Sequence, residues 1–173
     1  KRRSLMLRFS IFVLIILITY SHAEIKEKII KNLKETKNLD FNFEQNINGK
    51  IENGNCTVEY PKKIFCLYST NNNKILVSNG KSLVIKAGTS YYRYPIEKTP
   101  LNIILNKNYL INKINELNER VIDKNLINFT ITEKDNEINV FFNNETYDLI
   151  GWQNTDIYQN FNITFLSITS KNR

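Results

Sequence analysis

A chain of 173 residues has room for one domain with a buried core, and its formal charge of +7 comes from 24 Lys and Arg against 17 Asp and Glu. Four of the basic residues and none of the acidic ones fall within residues 1–23, so residues 24–173 carry 20 against 17, a net +3 whose scatter excludes a nucleic-acid footprint. The single histidine, His22, lies in the same segment, so residues 24–173 exclude a Ser-His or Cys-His nucleophile, and their two cysteines fall short of the usual zinc ligand sets.

The chain starts with Lys1-Arg2-Arg3, continues through an apolar run from Ile11 to Ile18, and reaches Ser21-His22-Ala23. These read as the n-region, h-region and small-x-small cleavage site of a signal peptide over residues 1–23. The run is about half of the roughly 20 residues a membrane span needs, which favours cleavage over a retained anchor. Residues 24–173 then form one exported domain. In an oxidising compartment Cys56 and Cys66 are expected to form a disulfide.

From Glu24 to Asn38, Ile25, Ile29, Ile30 and Leu33 fall on one face of a 3.6-residue period and predict an amphipathic helix. The period then drops to two: Leu39, Phe41, Phe43 and Gln45 alternate with polar residues up to Asn48-Gly49 and predict a strand with one apolar face. Residues 51–59 continue in strand pattern, Pro61-Lys62 turns, and Ile64 to Ser69 form the next strand. A hairpin centred on Pro61 pairs residues whose numbers sum to 122, as 56 and 66 do, which sets the two cysteines opposite each other within disulfide reach.

Lys74–Ser78 and Lys81–Lys86 flank Asn79-Gly80, a strong hairpin signal. Gly88-Thr89 leads into an edge strand over Tyr91–Tyr94 that stops at Pro95. Thr99-Pro100 opens a second helix, Thr as cap and Pro at the first helical position, with Leu101, Ile104 and Leu105 on one face. Residues 109–118 continue it after a break. Strands return at 126–133, 137–142, 145–152 and 156–169, with turns at Asp135-Asn136, Asn143-Asn144 and Asn154-Thr155. Helix, about six strands, one or two helices and four strands make an α+β domain dominated by an antiparallel sheet, for which the helices are the available cover.

The chain offers little for covalent chemistry. It has no Gly-rich phosphate loop, and its carboxylate pairs, Glu133 with Asp135 and Glu145 with Asp148, lie at turns where solvated acids are ordinary. No catalytic role, cofactor or metal is expected. Apolar and aromatic side chains are plentiful instead, and a sheet face larger than its helical cover leaves an apolar pocket suited to an apolar ligand.

Several segments, in order, carry a family resemblance: Phe41-Asn42-Phe43-Glu44-Gln45 with Gly49; Tyr60-Pro61 leading into Ile64-Phe65-Cys66-Leu67-Tyr68; Val77-Ser78-Asn79-Gly80-Lys81-Ser82-Leu83; Thr99-Pro100-Leu101 with Ile104-Leu105; and Leu149-Ile150-Gly151-Trp152-Gln153 before Asp156. Together they resemble the LolA family of periplasmic outer-membrane lipoprotein carriers. The resemblance implies an incomplete antiparallel β-barrel with a lid of two to three α-helices. It implies a periplasmic monomer whose cavity holds the acyl chains of triacylated lipoproteins. These would come from an inner-membrane lipoprotein-releasing ABC transporter and pass to an outer-membrane acceptor.

On that pattern Phe41, Phe43, Ile64, Tyr68, Leu101, Ile104 and Leu105 line the cavity, and Ile29 and Leu33 belong to the lid. Tyr60 stands where the family commonly has an Arg that helps hold the lid closed. Cys66 stands where it often has an aromatic. The parity turns Ile64, Cys66 and Tyr68 inward and the equally apolar Phe65 and Leu67 outward, so either the convex face is partly covered or the register is off by one. The alternative function is a lipid-binding sensory or regulatory module on the same fold. A lipidated outer-membrane acceptor would need a Cys just after the leader, where Glu24-Ile25 stand.

Overall fold

The computed structural model describes residues 24–69, 73–122, 125–133, 136–155 and 160–173. Residues 1–23, where a signal peptide is expected, Asp135 and Asp156 lie outside them. Residues 24–35 form helix α1, with Ile29 and Leu33 buried in the core and Ile25 packed against it. The apolar period seen in the sequence thus faces the sheet.

Six strands follow: β1 Asn38–Ile47, β2 Lys50–Glu59, β3 Lys63–Tyr68, β4 Ile75–Asn79, β5 Ser82–Ala87 and β6 Ser90–Pro95. A 3-10 turn at Ile96–Lys98 leads into α2, Leu101–Leu105, and α3, Lys107–Glu116. The chain then returns as β7 Arg120–Ile122, β8 Leu126–Glu133, β9 Asn136–Asn143, β10 Leu149–Thr155 and β11 Phe161–Lys171. All pair antiparallel in one eleven-stranded sheet ordered β6-β5-β4-β3-β2-β1-β11-β10-β9-β8-β7. The sheet stays open, its edges being β6 and β7. The helical segment that joins those two strands contributes to the same buried cluster as the inner face of the sheet.

Local chemistry sets the register. Asn48 and Gly49 both take positive φ, 50° and 88°, as a tight right-twisting hairpin demands, and Ile47 faces Lys50 across the turn. Cys56 pairs with Cys66 and Val58 with Ile64, the register that the Pro61-centred hairpin predicts, and the two cysteines form a disulfide across a Cα separation of 4.1 Å. The Tyr60-Pro61 peptide in that turn is cis. Ile64 and Cys66 are buried, while Phe65 and Leu67 stand 44% and 42% exposed. The register was therefore in phase, and the outward residues are apolar without being covered.

Several details depart from the sequence-based expectation: β7 is an added strand, β11 runs to Lys171, and Pro100 is the N-cap of α2 rather than its first residue. Thr99 does not cap α2 through its side chain: its hydroxyl donates back to the Ile96 carbonyl at 2.7 Å, and α2 begins without a side-chain cap. The penultimate strand starts at Leu149 rather than near 145, because the Asn143 side chain accepts from the backbone N–H groups of Glu145 and Thr146 and holds a turn there. A bulge between Leu149 and Gly151 then shifts the strand's phase, so that Leu149, Trp152 and Asn154 are all buried.

The inner face is filled unevenly. Around β8, β9 and α3 it is solid: Phe129, Phe142, Val140, Leu110 and Ile114 are fully buried, and the Phe129 and Phe142 rings meet edge to face at 5.9 Å. Around β1 to β5 it is hollow.

Candidate functional site

The hollow is a cavity of about 370 Å³, within the range of about 300–1,000 Å³ typical of ligand pockets. Period-two alternation builds its walls. β1 contributes Phe41, Phe43, Gln45 and Ile47; β2 and β3 contribute Cys56, Ile64, Cys66 and Tyr68; β4 and β5 contribute Leu76, Leu83 and Ile85. Trp152, Asn154, Asn162 and Thr164 come from β10 and β11, and Tyr94, Lys98, Thr99, Pro100 and Leu101 close the side beside α2.

Close approach of the aromatics depends on Gly54. It lies between Phe43 on β1 and Tyr68 on β3, whose rings meet edge to face at 4.9 Å. A Cβ at Gly54 would come within 2.7 Å of the Phe43 ring and would also strike the backbone carbonyl of Leu67. Burial pushes the Tyr68 phenol up to about 12, with the nearby Glu52 charge adding to the effect.

Of the residues assigned to the cavity from sequence, Phe41, Phe43, Ile64, Tyr68 and Leu101 border it together. Ile104 and Leu105 border a separate void of about 10 Å³, which also touches Phe41, Ile64 and Trp152. That void holds at most about one water, so the sheet beneath α2 is already covered. Ile29 and Leu33 are core residues of α1.

Tyr60, for which the resemblance implies a place in lid control, packs against the core, and burial pushes its phenol up to about 12. Lys107 of α3 sits over its ring, 5.4 Å from the centroid. The same ammonium donates to the carbonyls of Thr36 at 2.8 Å and Lys34 at 3.2 Å, at the C-terminal end of α1. A cation there also complements the helix dipole. Next to Tyr60, the Lys62 N–H donates to the Leu105 carbonyl at 3.1 Å, and Ser78 Oγ donates to the Lys62 carbonyl at 2.9 Å. Strand turn, α1, α2 and α3 therefore meet at this corner through a lysine from α3.

Sequence reasoning missed Lys107, Trp152, Leu76, Leu83 and Ile85 as site residues. The last three share the period-two signal of the strands that were recognised. It also missed Glu52 and Lys74. Glu52 has the parity of Cys56 and Val58 on β2, so a charge at an inward position was there to be noticed. Glu52 Oε2 takes Lys74 Nζ at 2.5 Å, and its other oxygen meets Lys50 at 3.3 Å. Burial alone would push this carboxyl up, but the hydrogen bonds and charges of Lys74 and Lys50 outweigh it and hold the carboxyl below its ordinary value.

Among the described residues no cluster of three or more His, Cys, Asp or Glu is placed to hold a metal ion. The family described as "Outer membrane lipoprotein carrier protein LolA" matches residues 34–173. No curated protein matches the chain. Solved structures similar to it include a LolA superfamily protein from Nitrosomonas europaea, 7% identical, TM-score 0.46, with 88% of this chain and 93% of that one covered. LprF from Mycobacterium bovis is 13% identical at a TM-score of 0.46, covering 85% and 91%. The lipoprotein LppX from Mycobacterium tuberculosis is 11% identical at 0.44, covering 85% and 94%.

Proposed function

The chain belongs to the LolA family, and on that premise we propose that it is a periplasmic carrier whose cavity shields the acyl chains of lipoproteins between two membranes. The observation that supports this most is the hollow half of the inner face, walled by Phe41, Phe43, Ile64, Leu76 and Leu83. Each methylene moved out of water is worth about 0.8 kcal/mol, so acylated protein does not cross an aqueous space unaided. An apolar hollow lowers that barrier by accepting the chains without covalent chemistry, and no enzymatic step is needed.

In this reading the inner-membrane partner is a lipoprotein-releasing ABC transporter and the recipient an outer-membrane acceptor. The protein acts as a monomer. α2 is the natural gate: it is five residues long, begins without a side-chain cap, and carries both Leu101 on the cavity and Leu105 on the small void. Withdrawing it would merge the two spaces, because Phe41, Ile64 and Trp152 border both.

Replacement of Ile64 tests the reading, since this residue lines both spaces and is 4% exposed. Uptake of a pyrene-labelled acyl chain is followed by fluorescence. Ile64→Glu is expected to weaken uptake at least about tenfold, the effect of an unpaired charge in an apolar wall. Exposed Val77→Glu on the opposite face of the sheet is expected to leave it unchanged. Equal uptake by both variants would remove the cavity from the account.

A further inference from the structure

The cavity is not uniformly apolar, and its polar groups sit together. Strand register places Gln45 of β1 opposite Glu52 of β2 and Thr164 of β11, with Asn154 opposite Asn162 two pairs further along. On the other side, Tyr68 bonds back to the Lys74 carbonyl through its N–H, which brings Lys74 to the same end of the sheet. Tyr68 OH donates to Gln45 Oε1 at 3.4 Å, and Gln45 Nε2 donates to Asn162 and Thr164 at 3.1 and 3.2 Å. Leu83 lies at the other end, in register with Ser78 and through it with Ile64, and Leu101 closes the cavity beside α2.

Lys74 is the unusual member. Its side chain is 20% exposed and lines the cavity, with the ammonium 4.2 Å from the centre of the Tyr68 ring. An ammonium has three N–H donors, and Glu52 takes one of them. Glu52, 6% exposed, is also met from the solvent side by Lys50. Two cations therefore share one carboxylate: Lys74 lines the cavity, Lys50 stands 75% exposed in solvent, and the trio is net positive. Neutralising Glu52 required only one of them. With Lys50 able to neutralise Glu52, the partly desolvated Lys74 ammonium has donors for an anionic partner, to which a charge-assisted hydrogen bond is worth about 1.5–3 kcal/mol.

Resting on the reading that the cavity takes acyl chains, we propose that it holds them in one direction: an anionic head, carboxylate or phosphate, sits against Lys74, and the chain runs toward Leu83 and Leu101. Lys74 exchanges part of its contact with Glu52 for the head, and Lys50 keeps Glu52 neutralised. The Tyr68 hydroxyl, whose bond to Gln45 is long at 3.4 Å, turns its proton to the same head, while Gln45 stays bonded to Asn162 and Thr164. The cavity thus selects acyl lipids with a compact anionic group, a class wider than acylated protein.

The test is competition by palmitic acid, hexadecyl phosphate and methyl palmitate against a neutral pyrene-acyl ester bound to the full protein. The acid and the phosphate are expected to bind about tenfold more tightly than the methyl ester. Lys74→Met is expected to abolish the preference, so that acid, phosphate and ester bind within about twofold of one another. Because Lys74→Met exposes a buried carboxylate, the Glu52→Gln/Lys74→Met double variant, which removes both charges, is measured alongside and is expected to behave the same way. A preference for only the acid or only the phosphate supports the proposal and identifies which head is carried. Equal binding of acid, phosphate and ester by the unmodified protein, or a preference that survives in both variants, overturns it while the acyl-binding reading stands. Failure of all three to compete, the ester included, overturns that reading and the proposal with it.

Discussion

Gly54 shows how a single missing side chain shapes the site. Its neighbours Phe43 and Tyr68 close over it, and an added Cβ would press on the Leu67 carbonyl, which cannot move without breaking the β2–β3 ladder. Gly54→Ala is expected to lower stability by about 1–3 kcal/mol, the range for overpacking a filled space, as read from the midpoint of urea unfolding. Cys56 and Cys66 act at the same scale. Their bridge closes a short loop, so the Cys56→Ala/Cys66→Ala variant is expected to lose about 2–3 kcal/mol in the same assay. The pairing was legible in the sequence because the turn at Pro61 and the two-residue period leave one register. The burial of Glu52 with Lys74 was not read, although its parity was available, because attention to apolar residues passes over a charge at an inward position. Lys107 left no local trace: its partners, Tyr60 and the end of α1, are brought to it by tertiary packing.

Among the elements, α1 is held by its polar face as well as by its buried apolar one. α1 is pinned by polar contacts at several points. Asn32 Nδ2 donates to Asp148 at 2.8 Å, Lys171 pairs with Asp148 at 2.9 Å and also donates to Asn32, and Asn172 donates to the Glu35 carbonyl at 3.0 Å. Burial would push the Asp148 carboxyl up, but the hydrogen bonds from Lys171, Asn32 and Thr146 and the Lys171 charge hold it below its ordinary value. A lowered carboxyl contributes stability that is present above the unfolded value of 3.8 and is lost as pH falls through the folded one. Asp148→Asn is therefore expected to lower stability at neutral pH by about 1 kcal/mol and to flatten the acid limb of the pH–stability curve. Hydrogen exchange should show faster opening of α1 in that variant and unchanged protection in β8. The helical period of α1 was plain in the sequence. The anchoring of its polar face was not, since Asp148 and Lys171 lie more than a hundred residues away in the chain.

In the whole molecule, one sheet serves two purposes on the same face. The half built from β8, β9 and α3 is packed solid, and the half built from β1 to β5 is left open. Truncation should register this asymmetry: Phe129→Ala is expected to cost about 3–5 kcal/mol, whereas Ile85→Ala, at the cavity wall, should fall below the floor of about 2 kcal/mol for a fully packed isoleucine. Strand existence and most hairpins were legible from alternation and turn residues. The pairing of β1 with β11, which joins the two meanders at the centre of the sheet, was not, because remote pairing leaves no local pattern. The short β7 was likewise too brief to show a period.

That the hollow half exists to hold acyl chains is tested most directly by native mass spectrometry of the purified protein mixed with a triacylated lipoprotein or with its unacylated counterpart. A one-to-one complex with the acylated form alone is the expected result. Complexes with both forms, or with neither, would contradict it.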